Sequence, residues 1–452
     1  MKKSEYDDII IGFGKGGKTL AVKLAKAGKN VALIEKSPAM YGGTCINVGC
    51  IPSKSLIHSA AQANPSASPE LRADRYKNAV NEKRRLTEKL RKANYDKLAA
   101  FPNIKIYDGD ARFTGPRQIE VSGGGEVLQL SAKHIFINTG AVPRFPPIEG
   151  IHTTPGVYTS AGMMDLDSLP ETLTIIGGGY IGLEFASMYS GFGSKVTVLQ
   201  DGNTFLPNED EDIAAEIKSM LEEKGVDFRL GAKIHGIQNG PVTVFDWQDR
   251  QYTLESNAIL VATGRIPNTA DLNCEAAGVA LTTCGAVEVD DRLRTTAPDV
   301  WAMGDAAGSL QHTYISLDDS RIVWSQLSGG KPYAASDRKN VPYSVFLSTP
   351  YARVGMNERE ARAAGHHVKI SRLPASAIPK AQVLKAPQGL LKAVIDAESG
   401  RILGAMLLCE EAHEIINIIK LAMDFNADYS VLRDQVFTHP TMAEARKDLF
   451  AI

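Results

Sequence analysis

Two stretches of this chain carry the same constraint on folding. In DIIIGFGKGGKTLAVKLAKAGKNVALIE, residues 8–35, an apolar run meets Gly12, Gly14 and Gly17 in G-x-G-x-x-G spacing, and a helix-like segment and a second apolar run follow. This is one βαβ unit, in which backbone N–H groups at the strand-to-helix turn and the helix dipole can receive a pyrophosphate. Glu35 closes the second strand 21 residues after Gly14, where a carboxylate can accept from ribose hydroxyls. The pattern recurs in TLTIIGGGYIGLEFASMYSGFGSKVTVLQDG with Gly177, Gly179 and Gly182, and its second strand ends at Gln200. Two dinucleotide sites in one chain point to electron transfer between them.

A third feature lies between them. YGGTCINVGCIPSKSLIH, residues 41–58, holds Cys45 and Cys50 in a chain with five cysteines. On a regular helix, positions five apart would hold their Cα atoms roughly 8 to 9 Å from each other, beyond the reach of a disulfide at about 4.4 to 6.8 Å. If the two pair, the backbone must bend, and Gly49 is the residue that allows it. Zinc is disfavoured, since no second cysteine pair or histidine pair stands at ligand spacing. Cys274, Cys284 and Cys409 are far apart and read as packing residues.

Length and charge narrow the class further. The 452 residues suffice for about three domains. With 50 basic against 52 acidic residues, the net charge of -2 offers no field for nucleic acid or an anionic membrane. There is no signal-peptide pattern and no apolar stretch of membrane-spanning length, so cytoplasmic residence is expected. The charged stretch RADRYKNAVNEKRRLTEKLRKANYDKLAAF reads as one or two amphipathic helices with a solvated face. His366 and His367 read as solvated and His413 as a helix-surface residue.

The glycine fingerprints, GGTCINVGCIPSK, INTGA, GGGYIGLE, ATGRIPN, AMGDAAG and the C-terminal HPTMAE stand in an order that resembles the flavoprotein disulfide reductases, the family of glutathione reductase, dihydrolipoamide dehydrogenase and mercuric reductase. The resemblance covers essentially the whole chain. It implies an α/β fold: two Rossmann-like dinucleotide-binding domains and a C-terminal α+β dimerisation domain. Residues 1–150 and 270–340 would bind FAD, 151–269 NAD(P)H, and 341–452 would form a homodimer. FAD is expected at Gly12, Gly14, Gly17, Glu35, Gly43, Thr44, Lys54, Gly140 and Asp305. The coenzyme is expected at Gly177, Gly179, Tyr180, Ile181, Gly182, Gln200 and Gly264, with Tyr180 covering the flavin until it arrives. Gln200 stands where a carboxylate would select NADH, and no arginine is near to hold a 2′-phosphate, so both NADPH and NADH are expected to work, with a lean to NADPH.

By the same resemblance, Cys50 is the charge-transfer thiolate beside the flavin, Cys45 the interchange thiol that meets substrate, and Lys54 and Glu184 an ion pair near the flavin. His439 and Glu444 read as a base and its orienting carboxylate, the histidine reaching the opposite subunit's cysteines. A rival reading gives Glu444 to a helix capping box with Thr441, since T-x-x-E has that spacing. Long segments outside the redox motifs, among them TYISLDDSRIV and DRKNVPYSVF, are similar to the bacterial reactive-chlorine-resistance flavoproteins. That subgroup implies a small oxidant as substrate, chiefly hypothiocyanous acid and in some members Cu(II). Dihydrolipoamide dehydrogenase is the alternative, with mercuric and glutathione reductase behind it and a redox sensor without turnover last.

Overall fold

The computed structural model describes residues 2–452, and the two fingerprints found in sequence open two separate parallel sheets. In the first, strands Ile104–Asp108, Val31–Glu35, Lys2–Ile11 and Glu126–Ile137 run parallel in that order, and an antiparallel pair, Gln118–Gly123 and Asp110–Gly115, extends it. The short strand Val300–Ala302 returns from far along the chain to pair in parallel with Glu126–Ile137. Val31 to Ile34 are all buried, as expected of a parallel strand covered on both faces. The second sheet is parallel throughout, in the order Asp227–Leu230, Lys195–Gln200, Thr172–Ile176, Ala258–Val261, Val157–Tyr158.

The chain passes between these units twice, and the two passages pair with each other. Ala141–Pro143 and Arg265–Pro267 form a two-stranded antiparallel sheet, with Arg265 opposite Pro143. The C-terminal unit is a five-stranded antiparallel sheet, Tyr343–Val345, Tyr351–Gly355, Ile402–Leu408, Leu390–Asp396 and Val368–Pro374, backed by helix Ala412–Asp424. The charged stretch forms one helix, Pro69–Ala99, and not two. Its face is not wholly solvated: Lys83 is buried and pairs with Asp165 at 2.5 Å. No helix of the described residues is long and apolar enough to cross a membrane.

One apolar core joins the units. Leu56, Ile57 and Ala60 of helix Cys50–Ala61 pack with Leu183 and Ala186 of helix Tyr180–Phe192, and the same cluster reaches Val345, Tyr351 and Met406 of the antiparallel sheet. Charge fastens the second junction. Lys392, 2% exposed, sits 2.9 Å from carboxylates of Asp210, Asp212 and Glu358, and Arg372 adds a second cation to Asp212. Three acids against two bases leave the buried ammonium fully compensated.

The first glycine turn is held by a side chain from the next strand end. Asn138, 6% exposed, accepts from the Gly17 N–H at 2.8 Å and donates to the Met303 carbonyl at 2.9 Å and the Ser316 hydroxyl at 3.1 Å. Asn138→Ala should therefore strand a buried donor and a buried acceptor, costing about 2 kcal/mol or more. A lowered thermal midpoint checks this; unchanged melting refutes it.

Candidate active site

The cysteine pair sits where a helix is broken. Helical turn Thr44–Asn47 ends at Val48, and a new helix, Cys50–Ala61, begins at Cys50 itself. Gly49 lets the chain fold back on itself: a Cβ there would lie 2.9 Å from the Thr44 carbonyl oxygen and 3.3 Å from Cys45 Cα. The bend required by the spacing is thus present at the residue named for it. Cys45, half-buried, and Cys50, exposed, are both free thiols, and they lie within hydrogen-bond reach of each other.

Their environments drive the two thiols apart. The Cys45 S–H, the Thr313 hydroxyl 3.6 Å away and the Lys54 ammonium together hold Cys50 below the usual thiol range. Cys45, donating to that thiolate and itself desolvated, is pushed far above the usual thiol range. The surroundings thus favour the thiolate at Cys50 over the thiolate at Cys45. Lys18 lies on the other side of the loop, donating to the Gly42 carbonyl at 3.2 Å and to Asn94 at 2.7 Å. Burial lowers this lysine to about 8, and its charge opposes the rise at Cys45.

Lys54, on the helix that Cys50 opens, meets Glu184 of helix Tyr180–Phe192 at 2.6 Å. Glu184 is 10% exposed, and its second oxygen accepts from the Phe346 N–H at 2.9 Å. The Phe346 ring lies under the Lys54 ammonium at 4.7 Å. Its other neighbour is His413, which is half-buried with its ring 5.2 Å away, so the helix-surface reading of that histidine is corrected. His366 pairs with Asp396 at 2.9 Å and keeps 36% of its side chain exposed, and Cys284 is exposed, which corrects its reading as a packing residue, while Cys274 and Cys409 are buried.

Both glycine turns have the shape of a phosphate cradle. Gly12 has φ +107, and a Cβ there would lie 2.2 Å from the Asn138 carbonyl oxygen. Gly14 precedes helix Lys15–Lys26, and no side chain caps it. Gly43, with φ +84, packs against the same turn, its Cβ position 2.7 Å from Gly14 Cα, and Thr44 follows it. Glu35 accepts from the Phe13 N–H at 3.0 Å, and burial lifts its carboxyl above the ordinary value. Asp305 follows Gly304, whose N–H donates to Asp319 at 2.6 Å; burial raises Asp305, with Arg265 opposing.

The second cradle repeats the geometry with Gly177 at φ +106 and Gly182 packed under it. Gly140 and Gly264, both at positive φ, have open space where a Cβ would stand. Gln200 donates to the Gly202 and Thr204 carbonyls at 3.2 and 2.8 Å, which ties it to its own loop. Tyr180 and Ile181 begin the helix, half-buried against the core. These residues fit a dinucleotide at each turn: an uncapped helix start, glycines where side chains would collide, and an acid at the strand end of the first.

His439 and Glu444 lie on the C-terminal segment. The imidazole Nδ1 is 2.9 Å from Oε1, and the histidine beside it holds the carboxyl below its usual range. The capping box forms as well, Thr441 N–H to Glu444 at 3.2 Å and Glu444 N–H to the Thr441 hydroxyl at 3.2 Å. The two readings are not rivals: the cap fixes a carboxylate, 6% exposed, that also orients the ring. His439 is 69% exposed, so its other nitrogen is free to act outward.

Thr313, Asn138, Lys18 and Phe346 take part in this site, and although each lies in a quoted segment, the sequence assigned none of them a role. Each acts across a long separation, 263 residues between Thr313 and Cys50, so no local spacing reports it.

Comparison with known proteins gives a consistent result. The family model described as pyridine nucleotide-disulphide oxidoreductase matches residues 6–320, and that of its dimerisation domain matches 341–450. A probable pyridine nucleotide-disulfide oxidoreductase, RclA of Escherichia coli K12, is 49% identical over 99% of both chains. The Cu(II) complex of the HOCl-induced flavoprotein disulfide reductase RclA from E. coli superposes with a TM-score of 0.93 over 99% of each chain, at 49% identity. A mercuric reductase of Lysinibacillus sphaericus is 32% identical over 99% of this chain and 82% of its own.

Thr313→Val removes a donor from the Cys50 thiolate. The thiolate form should then need a higher pH, a rise of about one unit for one charge-assisted hydrogen bond. Ultraviolet thiolate absorbance of the reduced protein against pH measures it; an unmoved or lowered midpoint refutes the assignment.

Proposed function

Because the chain belongs to the pyridine nucleotide-disulphide oxidoreductases, enzymes that work with FAD and NAD(P)H, we propose that it relays electrons through Cys45 and Cys50 to a small oxidant, hypothiocyanous acid above all. The observation that carries this is the asymmetric placing of the two thiols: Cys50 opens a helix 3.6 Å from the Thr313 hydroxyl, and Cys45 lies half-buried on the turn before it. We assign FAD to residues 1–150 and 270–340, the coenzyme to 151–269 and dimerisation to 341–452. FAD and NAD(P)H, when bound, supply the two electrons that return the cysteine pair to its dithiol form.

This chain's residues perform the rest. The Cys45 sulfur, deprotonated with His439 as base, attacks the electrophilic sulfur of hypothiocyanous acid, forming an S–S bond as hydroxide departs and takes a proton from the imidazolium. Cys50 then attacks the Cys45 sulfur, closing the disulfide and releasing thiocyanate. Glu444 holds the ring through its Nδ1. Lys54 gives the Cys50 thiolate a counter-charge, and Glu184 compensates the lysine.

Support for a small chlorine-type oxidant comes from the E. coli relative, described as HOCl-induced and of 49% identity over nearly the whole chain. That relative forms a Cu(II) complex, which makes Cu(II) the second oxidant to test.

Steady-state NAD(P)H oxidation with hypothiocyanous acid, Cu(II), Hg(II), oxidised glutathione and lipoamide should give the highest kcat/KM for hypothiocyanous acid. His439→Ala should slow lipoamide chemistry more, because its thiol leaving group must be protonated. A higher kcat/KM for lipoamide in the unmodified enzyme overturns the reading.

If His439 serves the partner's cysteines, mixing Cys45→Ser with His439→Ala chains should restore one of the two sites in each mixed dimer. Verified subunit exchange without recovered activity would place both groups in one chain.

A further inference from the structure

Behind the second glycine turn lies a polar cluster with no part in the steps above. Glu209, 2% exposed, stands in the segment before helix Glu211–Glu222. Its Oε1 accepts from the hydroxyls of Tyr180 and Tyr343, and its Oε2 accepts from Tyr351, with Arg353 Nη1 3.4 Å away. Arg353 also donates to the Asn208 carbonyl at 2.9 Å. Tyr343, Tyr351 and Arg353 all belong to the first two strands of the C-terminal sheet, where Tyr343 is paired with Arg353. Tyr180 alone comes from the glycine fingerprint; its ring lies 5.6 Å from that of Tyr343, and the two hydroxyl oxygens are 3.2 Å apart.

Counting donors shows how closed this cluster is. A carboxylate offers about four lone-pair sites, and three hydroxyls and one guanidinium N–H fill them. Each tyrosine has one proton to give, so Tyr180 and Tyr343, both spending theirs on Oε1, have none left for each other. Burial beside the carboxylate raises all three tyrosines well above their ordinary value, so they stay protonated donors. Tyr180 is therefore tied by a charge-assisted hydrogen bond to a carboxylate that the antiparallel sheet holds from the far side.

We propose that Glu209 is a positioning residue that latches Tyr180 beside the second glycine turn, and that this latch sets how readily the nicotinamide coenzyme is admitted. The proposal rests on the reading of Tyr180 as the ring that yields to the incoming coenzyme. A conformation that must open before binding raises the apparent dissociation constant by the inverse of its open fraction. Loosening the latch removes that penalty without touching the groups that transfer electrons. Tyr343→Phe frees Oε1 from the strand that holds it toward Tyr180 and leaves Arg353 its carboxylate, and Glu209→Gln, which removes the charge that Tyr180 bonds to, is the stronger perturbation.

The test is anaerobic reduction of the FAD-loaded enzyme by rising NADPH, which yields a dissociation constant and a limiting rate separately. Tyr343→Phe and Glu209→Gln should each lower the dissociation constant, by up to about tenfold for a mostly closed latch, and leave the limiting rate within about twofold. Tyr180→Phe, which removes the latched hydroxyl itself, should also lower the dissociation constant, and Tyr343→Phe added to it should lower it no further. A merely structural role for the cluster would act through the strands and persist in the Tyr180→Phe background. That persistence, or a dissociation constant unmoved or raised by Tyr343→Phe, overturns the latch. If Glu209→Gln fails to fold, Tyr343→Phe and the double variant decide alone. An unmodified enzyme that takes no electrons from NADPH or NADH would refute the function proposed above, an outcome separate from normal reduction with an unchanged dissociation constant in the variants.

Discussion

One ion pair stands where all three units of the chain meet. Lys54 belongs to the helix of the redox cysteine, Glu184 to the helix of the second fingerprint, and the free oxygen of Glu184 accepts from the backbone of Phe346 in the C-terminal unit. The Phe346 ring closes the circle beneath the ammonium. Removing one partner of a buried pair costs about 3 to 5 kcal/mol because the other is left uncompensated. Here the cost falls toward the lower end, since Lys54 keeps 29% of its side chain in water. The pair also sets the charge beside Cys50. Structure and thiol chemistry therefore rest on the same two side chains, and the apolar core around Leu56, Leu183 and Val345 holds them at that spacing.

What sequence could reveal followed from how local each signal is. The glycine turns were legible because a positive φ and a close backbone approach leave a mark on a few adjacent residues, as at Gly12 and Gly177. The bend at Gly49 was legible from the close approach alone, and the family resemblance extended to Lys54, Glu184 and His439. Asn138, Thr313 and Glu209 were not. Their partners are 121, 263 and 134 residues away, at Gly17, Cys50 and Tyr343, and a polar residue in a loop looks the same whether its partner is water or a buried hydroxyl. His413 was misread for a related reason: its burial depends on the Phe346 ring that packs over its helix, not on the helix's own pattern.

Glu444 shows a different limit. A helix cap and an orienting carboxylate compete for it only if each motif uses up the residue. A carboxylate has two oxygens and several lone pairs, so it accepts from Thr441 and holds His439 at once. Cap and orientation reinforce one another: the backbone bond restricts the carboxylate, and the restricted carboxylate restricts the ring. Glu209 uses the same capacity more fully, and the difference is that its donors come from two units instead of one short segment.

The two paired passages at Ala141–Pro143 and Arg265–Pro267 make the second parallel sheet an insertion within the first unit. Strand Val300–Ala302 completes the first sheet only after that insertion has been made. On a ribosome, the outer edge of Ile135, Phe136 and Ile137 must therefore wait while about 160 further residues are added, roughly 8 to 30 s at about 5–20 residues per second. Throughout that interval its future neighbour and the Gly304–Asp305 turn do not yet exist, so the nascent first unit cannot close its own nucleotide cradle. The inserted unit, contiguous in the chain, has no such wait and can fold first. Order of synthesis and order of folding are thereby inverted: the domain that begins the polypeptide is the one finished later, and it keeps an unpaired strand edge in need of protection until then.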